Sequence, residues 1–460
     1  MATQIKQKDI LSGSLIKNMV LYTIPVILSG VLQLIFNAAD LIVVGKFDKL
    51  NGSLAQAAIG STGSMINLIV SVFIGISVGV NVVIARLVGS KNKEQLRTAV
   101  QTSMLLGFAA GVIIAVAGFV FAKPLLRLIG TDDAVMPFAE EYLRIYFLGS
   151  PFAMIYNFGS AIMRAYGDTK KPMLFLAASG IINVILNLIT VIAFDMSVAG
   201  VAIATSASNF FACLFIVIAL IKTDAPIKLH IKGMRFNGSW AKQIIALGLP
   251  AGIQGSLFSL SNVVIQSAVN SFGDPHITAG NGNASNFEGF IYLAMNAFYQ
   301  TTITFTGQSC GANRNDLIRK IYFTALALVT ATGVVLGYTS FFLKEPLMTV
   351  YSSNHDDIAA GVSRMSIICL TYFLCGMMDV TTGAIRGMGN SIVPMIISLI
   401  GACGFRIVWI YTAFVEWKTT LCLYISYPIS WALTFLALFI CAVYYRKKLE
   451  RNANARIESN

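Results

Sequence analysis

Three polar side chains lie on one face of the first apolar segment of the chain. Gln33, Asn37 and Asp40 are spaced at i, i+4 and i+7, so an α-helix places them along one side. A carboxyl group in such a segment costs roughly 2.5–3.5 kcal/mol to insert into a bilayer, which makes it a functional candidate. Asp40 would bind a proton or another coupling cation, or else join two helices through a hydrogen bond to an asparagine.

Two asparagines share a face of a second apolar segment. Asn183 and Asn187 are four residues apart, which is one turn of a helix. Beside Asp40, their amide oxygens would complete a set of oxygen ligands for a sodium ion. The residues therefore leave two kinds of cation site open: a proton on Asp40, or Na⁺ held by Asp40, Asn183 and Asn187.

A further group of residues suits an amphipathic cation. Glu288, Tyr292 and Met295 follow helical spacing, and a carboxylate beside aromatic and methionine surface favours charge pairing, cation–π contact and adaptable packing. Asp379 is another acid in an apolar segment, although an ion pair with Arg386, two turns away, is the competing interpretation. We predict a substrate cavity lined by polar and apolar side chains of both halves of the chain: Gln33, Asn37, Asn157, Glu288, Tyr292, Met295 and Asp379.

The composition indicates a membrane protein. Apolar residues make up 56% of the 460 residues, charged residues make up 12%, and the mean hydropathy is +0.73. A soluble globular domain carries roughly twice that share of charge. Apolar runs long enough to cross a bilayer recur along the chain. They predict an all-α integral membrane protein with twelve transmembrane helices, approximately at residues 16–46, 54–84, 98–121, 138–163, 172–194, 198–221, 241–272, 282–309, 318–342, 358–385, 392–415 and 420–445.

The chain contains an internal duplication. Landmark residues such as Arg164 and Gly167 recur 222 positions later as Arg386 and Gly389. Each half contains six predicted spans, so the halves are parallel repeats. We predict an N-terminal lobe over residues 1–225 with helices 1–6 and the coupling-ion site. A C-terminal lobe over residues 226–460, with helices 7–12 after a basic linker, completes a central cavity. Pro25 and Pro250 interrupt the first helix of each half, as a hinge or a static kink.

The net charge of +12 follows membrane topology. If the N-terminus is cytoplasmic, 24 of the 33 lysines and arginines fall in cytoplasmic segments. This positive-inside pattern predicts a multi-pass protein of the cell membrane with both termini in the cytoplasm, and it argues against nucleic acid as a partner. Residues 1–15 lack the features of a removable signal peptide.

The sequence argues against an enzyme. No G-x-x-x-x-G-K-[ST] phosphate-binding motif is present, and the G-x-S-x-G pattern at residues 307–311 ends a predicted membrane helix rather than a strand. The seven cysteines show no metal-type spacing. A channel is disfavoured because the polar residues within the spans do not repeat between the halves. We therefore predict gradient-driven transport, with H⁺ or Na⁺ as coupling ion and no other cofactor.

Several stretches together resemble the multidrug and toxic compound extrusion (MATE) family. They are residues 36–40, 79–81, 163–168 and 288–312, and the similarity covers about residues 14–446. The resemblance implies a cation-coupling site in the N-terminal lobe at Asp40, Tyr142, Asn183, Asn187 and Thr205. The position of Asn187 is aspartate in many relatives, so this chain keeps Asp40 as the sole acid in that set.

The expected function is secondary active efflux by alternating access. Amphipathic, mainly cationic small molecules or drugs would leave in exchange for H⁺ or Na⁺, through a monomer embedded in the bilayer. The alternative is a lipid-linked oligosaccharide or lipid flippase of the same superfamily. Such carriers often hold pyrophosphate with basic residues, and Arg406 is the main basic residue within a predicted span.

Overall fold

The structure of the chain is a computed structural model that describes residues 10–48, 52–128 and 130–458. The side chains of residues 64 and 452–458 are not described. Every regular element within these ranges is a helix. The first seven helices are α1 (Leu15–Phe47), α2 (Gly52–Gly89), α3 (Lys93–Leu128), α4 (Met136–Leu148), α5 (Ser150–Tyr166), α6 (Lys170–Leu188) and α7 (Ser197–Lys222). The remaining helices are α8 (Gly238–Asn270), α9 (Pro275–Gly311), α10 (Asn315–Phe342), α11 (Lys344–Thr349), α12 (His355–Gly387), α13 (Ile392–Ser398), α14 (Phe405–Trp409), α15 (Val415–Trp417) and α16 (Thr420–Glu458).

Among the described residues, ten helical segments are long and apolar enough to cross a membrane. The predicted fourth span is instead divided into two helices, α4 of 13 residues and α5 of 17 residues. The helix is interrupted at Gly149, because Pro151 has no N–H with which to continue the hydrogen bonding of α4. The predicted eighth span corresponds to α9, which is 37 residues long but carries many polar side chains. The all-helical membrane fold is confirmed.

The chain forms two compact units whose boundaries differ from the predicted lobes 1–225 and 226–460. One unit contains Ile24–Gly252, and the other contains Ile10–Thr23 together with residues from Ile253 onward. The start of α1 belongs to the second unit because Tyr22 and Thr23 form hydrogen bonds of 2.8 and 2.7 Å with threonines of α9. Both boundaries fall beside the prolines within α1 and α8.

Glycines explain why the start of α8 belongs to the first unit. A β-carbon on Gly75 of α2 would overlap the backbone of Gly252, and one on Gly248 would overlap Ile76. Close backbone approach through small residues is a common way to pack membrane helices. These glycine contacts therefore join α2 to the first half of α8.

A bulky side chain at this contact is expected to destabilise the first unit. Gly75→Leu forces α2 and α8 apart, and overpacking of this kind costs roughly 1–3 kcal/mol. Gly60→Leu, on the same helix, is the matched control, because within the described residues no atom beyond its chain neighbours and its own helical backbone lies within 4 Å of the position that its β-carbon would occupy. It is expected to be neutral or slightly stabilising. Thermal unfolding of both variants in detergent measures the difference. Equal melting temperatures would show that the α2–α8 contact is loose.

The internal duplication is visible in local backbone conformation. Gly167 and Gly389, 222 residues apart, both adopt positive φ angles, of 104° and 88°, where α5 and α12 end. Only glycine adopts this conformation without strain, which accounts for its recurrence. A π-helical segment at Ile189–Ala193 recurs at Ile410–Phe414, and a further one occupies Leu399–Gly404. Such segments are frequent at functional sites.

Candidate cation and substrate sites

Asp40 lies in a buried hydrogen-bond network of the first unit. Its side chain is 7% exposed. The Nδ2 of Asn187 donates to Oδ1 of Asp40 at 2.5 Å, and the hydroxyl of Thr205 donates to Oδ2 at 3.4 Å. Three helices, α1, α6 and α7, therefore bring their polar groups to one carboxylate.

The asparagines are also bonded to each other and to the threonine. Asn187 donates to Oδ1 of Asn183 at 3.3 Å, and Asn183 donates to the hydroxyl of Thr205 at 3.4 Å. The Oδ1 of Asn187 is buried and has no hydrogen-bond partner within the described part of the chain. A buried acceptor without a donor is unfavourable, so this oxygen is available to a cation or to a water molecule.

Packing between α1 and α6 explains how these groups meet. The ring of Phe36 lies against Gly180, where a β-carbon would overlap it. Phe36 is one turn before Asp40, and Gly180 is one and two turns before Asn183 and Asn187. The absence of a side chain at position 180 therefore lets the two helices approach closely just before their polar residues.

The remaining residues predicted for this region occupy different environments. Tyr142 is 5% exposed, stacks on Tyr146 with ring centroids 6.0 Å apart, and interacts electrostatically with the Asp40 carboxylate. Gln33 and Asn37 are exposed and do not join the network, although they share α1 with Asp40. The amide of Asn157 donates to the backbone carbonyl of Ala153, within its own helix, at 2.9 Å.

Asp40 has no basic partner among the residues that the structure describes. The ion pairs found there involve other carboxylates, and the groups that bond to Asp40 are neutral. An ion pair would hold the carboxylate permanently in its charged form. Neutral donors leave it able to exchange a proton or a metal cation.

Glu288 is in a different situation, because Arg364 engages both of its carboxylate oxygens. Nε and Nη2 of Arg364 donate to Oε1 and Oε2 at 2.9 and 2.7 Å, and Nη1 donates to Asn281 at 2.7 Å. Both side chains are almost fully buried, and the guanidinium also lies over the rings of Tyr424 and Tyr427. The predicted contact of Glu288 with a cationic substrate stays a prediction, and it requires this ion pair to open.

Arg364 is the site residue that sequence reasoning missed. Its place in the sequence, near the outer end of the predicted span 358–385, suggests an exposed position, yet it is 4% exposed within α12. A signal was present, since Arg364 and Glu288 are both charged residues within apolar helices and each needs an opposite charge there.

Asp379 does not form the competing ion pair with Arg386. The guanidinium of Arg386 instead donates to the hydroxyl of Tyr299 and, at 2.7 Å, to Oε1 of Gln254. One carboxylate oxygen of Asp379 is buried without a hydrogen-bond partner within the described residues. Asp379 interacts electrostatically with Tyr292, which is 42% exposed. Acid and aromatic ring thus lie close together in the second unit.

Met295 and Arg406 complete the set of candidates in the second unit. Met295 is fully buried, and its sulfur packs against Gly376. Arg406 is 4% exposed, donates to Ser430 at 2.9 Å, and lies over the rings of Tyr427 and Trp431. Its Nη2 has no hydrogen-bond partner in the described region, and no carboxylate is paired with it there. The aromatic rings stabilise this cation without neutralising it.

The chain is similar to known proteins along most of its length. Residues 25–189 and 250–412 each match the family model MatE. The probable multidrug resistance protein YoeA of Bacillus subtilis is 27% identical and aligns over 95% of each chain. The FAD transporter of Shewanella oneidensis is 24% identical over 71% of this chain and 72% of its own length. A solved structure described as an outward-facing multidrug resistance MATE family transporter of the MOP superfamily superposes with a TM-score of 0.89, at 20% identity, over 98% of this chain and 100% of that one.

Proposed function

The chain belongs to the MATE family of multidrug efflux transporters, and from this premise we propose that it exports amphipathic organic cations in exchange for a cation bound at Asp40. The single observation that carries the coupling proposal is the buried Asp40 carboxylate, which is bonded only to neutral donors among the described residues. The family resemblance noted in the sequence is confirmed. Coupling ion and cargo are proposals.

The chemistry of the Asp40 network favours a cation of single charge. Among the described residues, no three histidine, cysteine, aspartate or glutamate side chains come together. Asp40 therefore supplies one negative charge, and Asn183, Asn187 and Thr205 supply neutral oxygens. A proton on Asp40 or a sodium ion among these oxygens matches that charge, whereas a multivalent cation would need more carboxylates.

The free energy that cation exchange supplies for export depends on the ratio of entering cations to leaving cargo. Each elementary charge that enters down a membrane potential contributes about 2.3 kcal/mol per 100 mV. Exchange of one entering cation for one leaving monovalent drug cancels this electrical contribution. Such an exchange then runs on the concentration gradient of the coupling ion alone.

Asp379 and Tyr292 support an organic cation as cargo. The carboxylate has a buried oxygen without a partner in the described part of the chain, and the nearby aromatic ring is partly exposed. A carboxylate and a ring face both attract a cation, and the ring also packs against its apolar part. We propose that these two residues contact the cargo, whereas Glu288 contacts it only when the Arg364 ion pair opens.

Arg406 supports a second candidate function, the export of an anionic amphiphile such as a lipid-linked or phosphate-containing compound. Its buried guanidinium has an unsatisfied N–H and no acidic partner in the described part of the chain. The relative from Shewanella oneidensis is described as an FAD transporter, and FAD is a phosphate-containing anion. We rank this function second because two carboxylates without an ion pair within the described residues favour cations: Asp40, which is buried, and Asp379, which has one buried oxygen.

We further propose a monomer in the cell membrane with both termini in the cytoplasm. The basis for this topology is the distribution of the 33 lysines and arginines, because 24 of them fall on one side of the predicted spans. The ten apolar helices among the described residues agree with a multi-pass protein.

Transport by proteoliposomes tests the function directly. Vesicles that contain ethidium receive a proton gradient or a sodium gradient, each at a clamped membrane potential. We expect one of the two gradients to drive ethidium movement against its concentration gradient, and an ionophore that dissipates that gradient to stop it. Ethidium movement that depends on neither gradient would contradict coupled exchange. Movement of a fluorescent anionic lipid, but not of ethidium, would favour the second function.

A further inference from the structure

A cavity of about 190 Å³ lies among α10, α12 and α16 of the second unit. Most of its apolar lining residues are buried, and two arginines also line it: Arg319 of α10 and Arg446 of α16. The apolar lining residues are Ile318, Tyr322, Phe323, Ala384, Met388, Ala442 and Val443. The cavity takes no part in the proposed transport chemistry.

The two arginines are available to a ligand of opposite charge. Arg319 is exposed, lies over the ring of Phe323 at 6.0 Å, and has no ion pair within the described residues. Arg446 forms one bond of 3.2 Å to Glu450, whose side chain is 40% exposed. An exposed pair of this kind contributes little free energy and leaves further N–H groups of Arg446 free to donate.

The cavity lies at the ends of the apolar parts of its helices. It lies near the start of α10 and the end of α12, and on α16 it lies where the apolar sequence gives way to Arg446, Lys447 and Lys448. Phe323, which lines the cavity, is 44% exposed. An exposed aromatic ring beside basic residues is the surface that the headgroup region of a bilayer contacts.

The size of the cavity excludes most drug-sized ligands, whose sites occupy about 300–1,000 Å³. A phospholipid avoids this limit because only its headgroup needs to enter, while the acyl chains remain along the outer surface of the helices. Guanidinium groups bind phosphate through two parallel hydrogen bonds, which makes arginine well suited to the headgroup.

We propose that this cavity is a binding site for the headgroup of an anionic phospholipid, with Arg319 and Arg446 as the phosphate ligands. Basic pockets between transmembrane helices on the cytoplasmic side are sites for such lipids. On the proposed topology this end of the helices faces the cytoplasmic leaflet. The bound lipid joins α10, α12 and α16 and so stabilises the second unit, independently of what the protein transports.

Native mass spectrometry of the full chain tests the site, with phosphatidylglycerol and phosphatidylcholine of equal chain length as probes. We expect a roughly tenfold or greater preference for phosphatidylglycerol. Arg319→Gln and Arg446→Gln each reduce phosphatidylglycerol affinity about fivefold. Lys320→Gln removes the same charge from a neighbouring exposed residue outside the cavity, and its affinity is expected to match the unmodified chain.

A variant that is expected to bind the lipid more tightly distinguishes a loss of the binding site from a loss of folding. Glu450→Gln removes the carboxylate that competes for Arg446, so phosphatidylglycerol binds more tightly to it than to the unmodified chain. Equal affinity for the two lipids, or an equal loss of affinity in Lys320→Gln, would overturn the proposal. Binding of soluble glycerol phosphate as tight as that of the lipid would also overturn it, because the acyl chains would then contribute nothing.

Discussion

Replacement of Asp40 by asparagine is expected to reduce ion-driven ethidium efflux to the level of vesicles without protein, while the protein still inserts and folds. The substitution keeps an acceptor oxygen for the Asn187 amide, whose bond to Asp40 is 2.5 Å in the native network. It removes the only charge of that network, so neither a proton nor Na⁺ is bound there. The measurement is the initial rate of efflux under an imposed gradient, normalised to reconstituted protein.

Asp133→Asn is the matched control for Asp40→Asn. Asp133 is an exposed aspartate between α3 and α4, and its neutralisation changes net charge by the same amount. We expect unchanged efflux in this variant. Undiminished gradient-driven efflux by Asp40→Asn, with normal insertion, would show that coupling takes place elsewhere.

Disruption of the Glu288–Arg364 ion pair is expected to have the largest effect on stability. Arg364→Gln leaves a buried carboxylate without its cation, which costs about 3–5 kcal/mol. For a unit of this size that corresponds to a decrease in melting temperature of about 10 °C. Thermal unfolding in detergent, followed by fluorescence-detected size exclusion, measures this decrease.

The double variant Glu288→Leu with Arg364→Met separates a structural role from a transport role. It removes both charges together, and an apolar replacement of a buried pair is often neutral or stabilising. We expect the melting temperature to recover. If the pair is only structural, efflux recovers as well; if the pair opens to admit a cationic substrate, the stable double variant still fails to transport. An unchanged melting temperature in Arg364→Gln would show that the pair does not stabilise the fold.

Features that depend on local composition and periodicity could be predicted from the sequence. Bilayer insertion depends on the summed hydropathy of about 20 neighbouring residues, so the membrane class and most of the spans follow from apolar runs. The duplication is confirmed by the two separate matches at residues 25–189 and 250–412. Helical spacing showed only that Asn183 and Asn187 share one helix face, and it was the family resemblance that placed Asp40, Asn183, Asn187 and Thr205 in one site.

Pairing between distant helices required the tertiary structure. The sequence by itself determined that the charges of Glu288, Asp379 and Arg386 are costly within apolar helices, because that cost depends only on their apolar surroundings. Only the fold decided that Glu288 pairs with Arg364, and that Arg386 bonds to Tyr299 and Gln254 rather than to Asp379. It also decided that α1 and α8 each contribute to both compact units. The reason is physical: a buried polar group bonds to whichever helix face packs against it, and that face is selected by close contacts such as those at Gly180 and Gly252, which spacing along the chain does not encode.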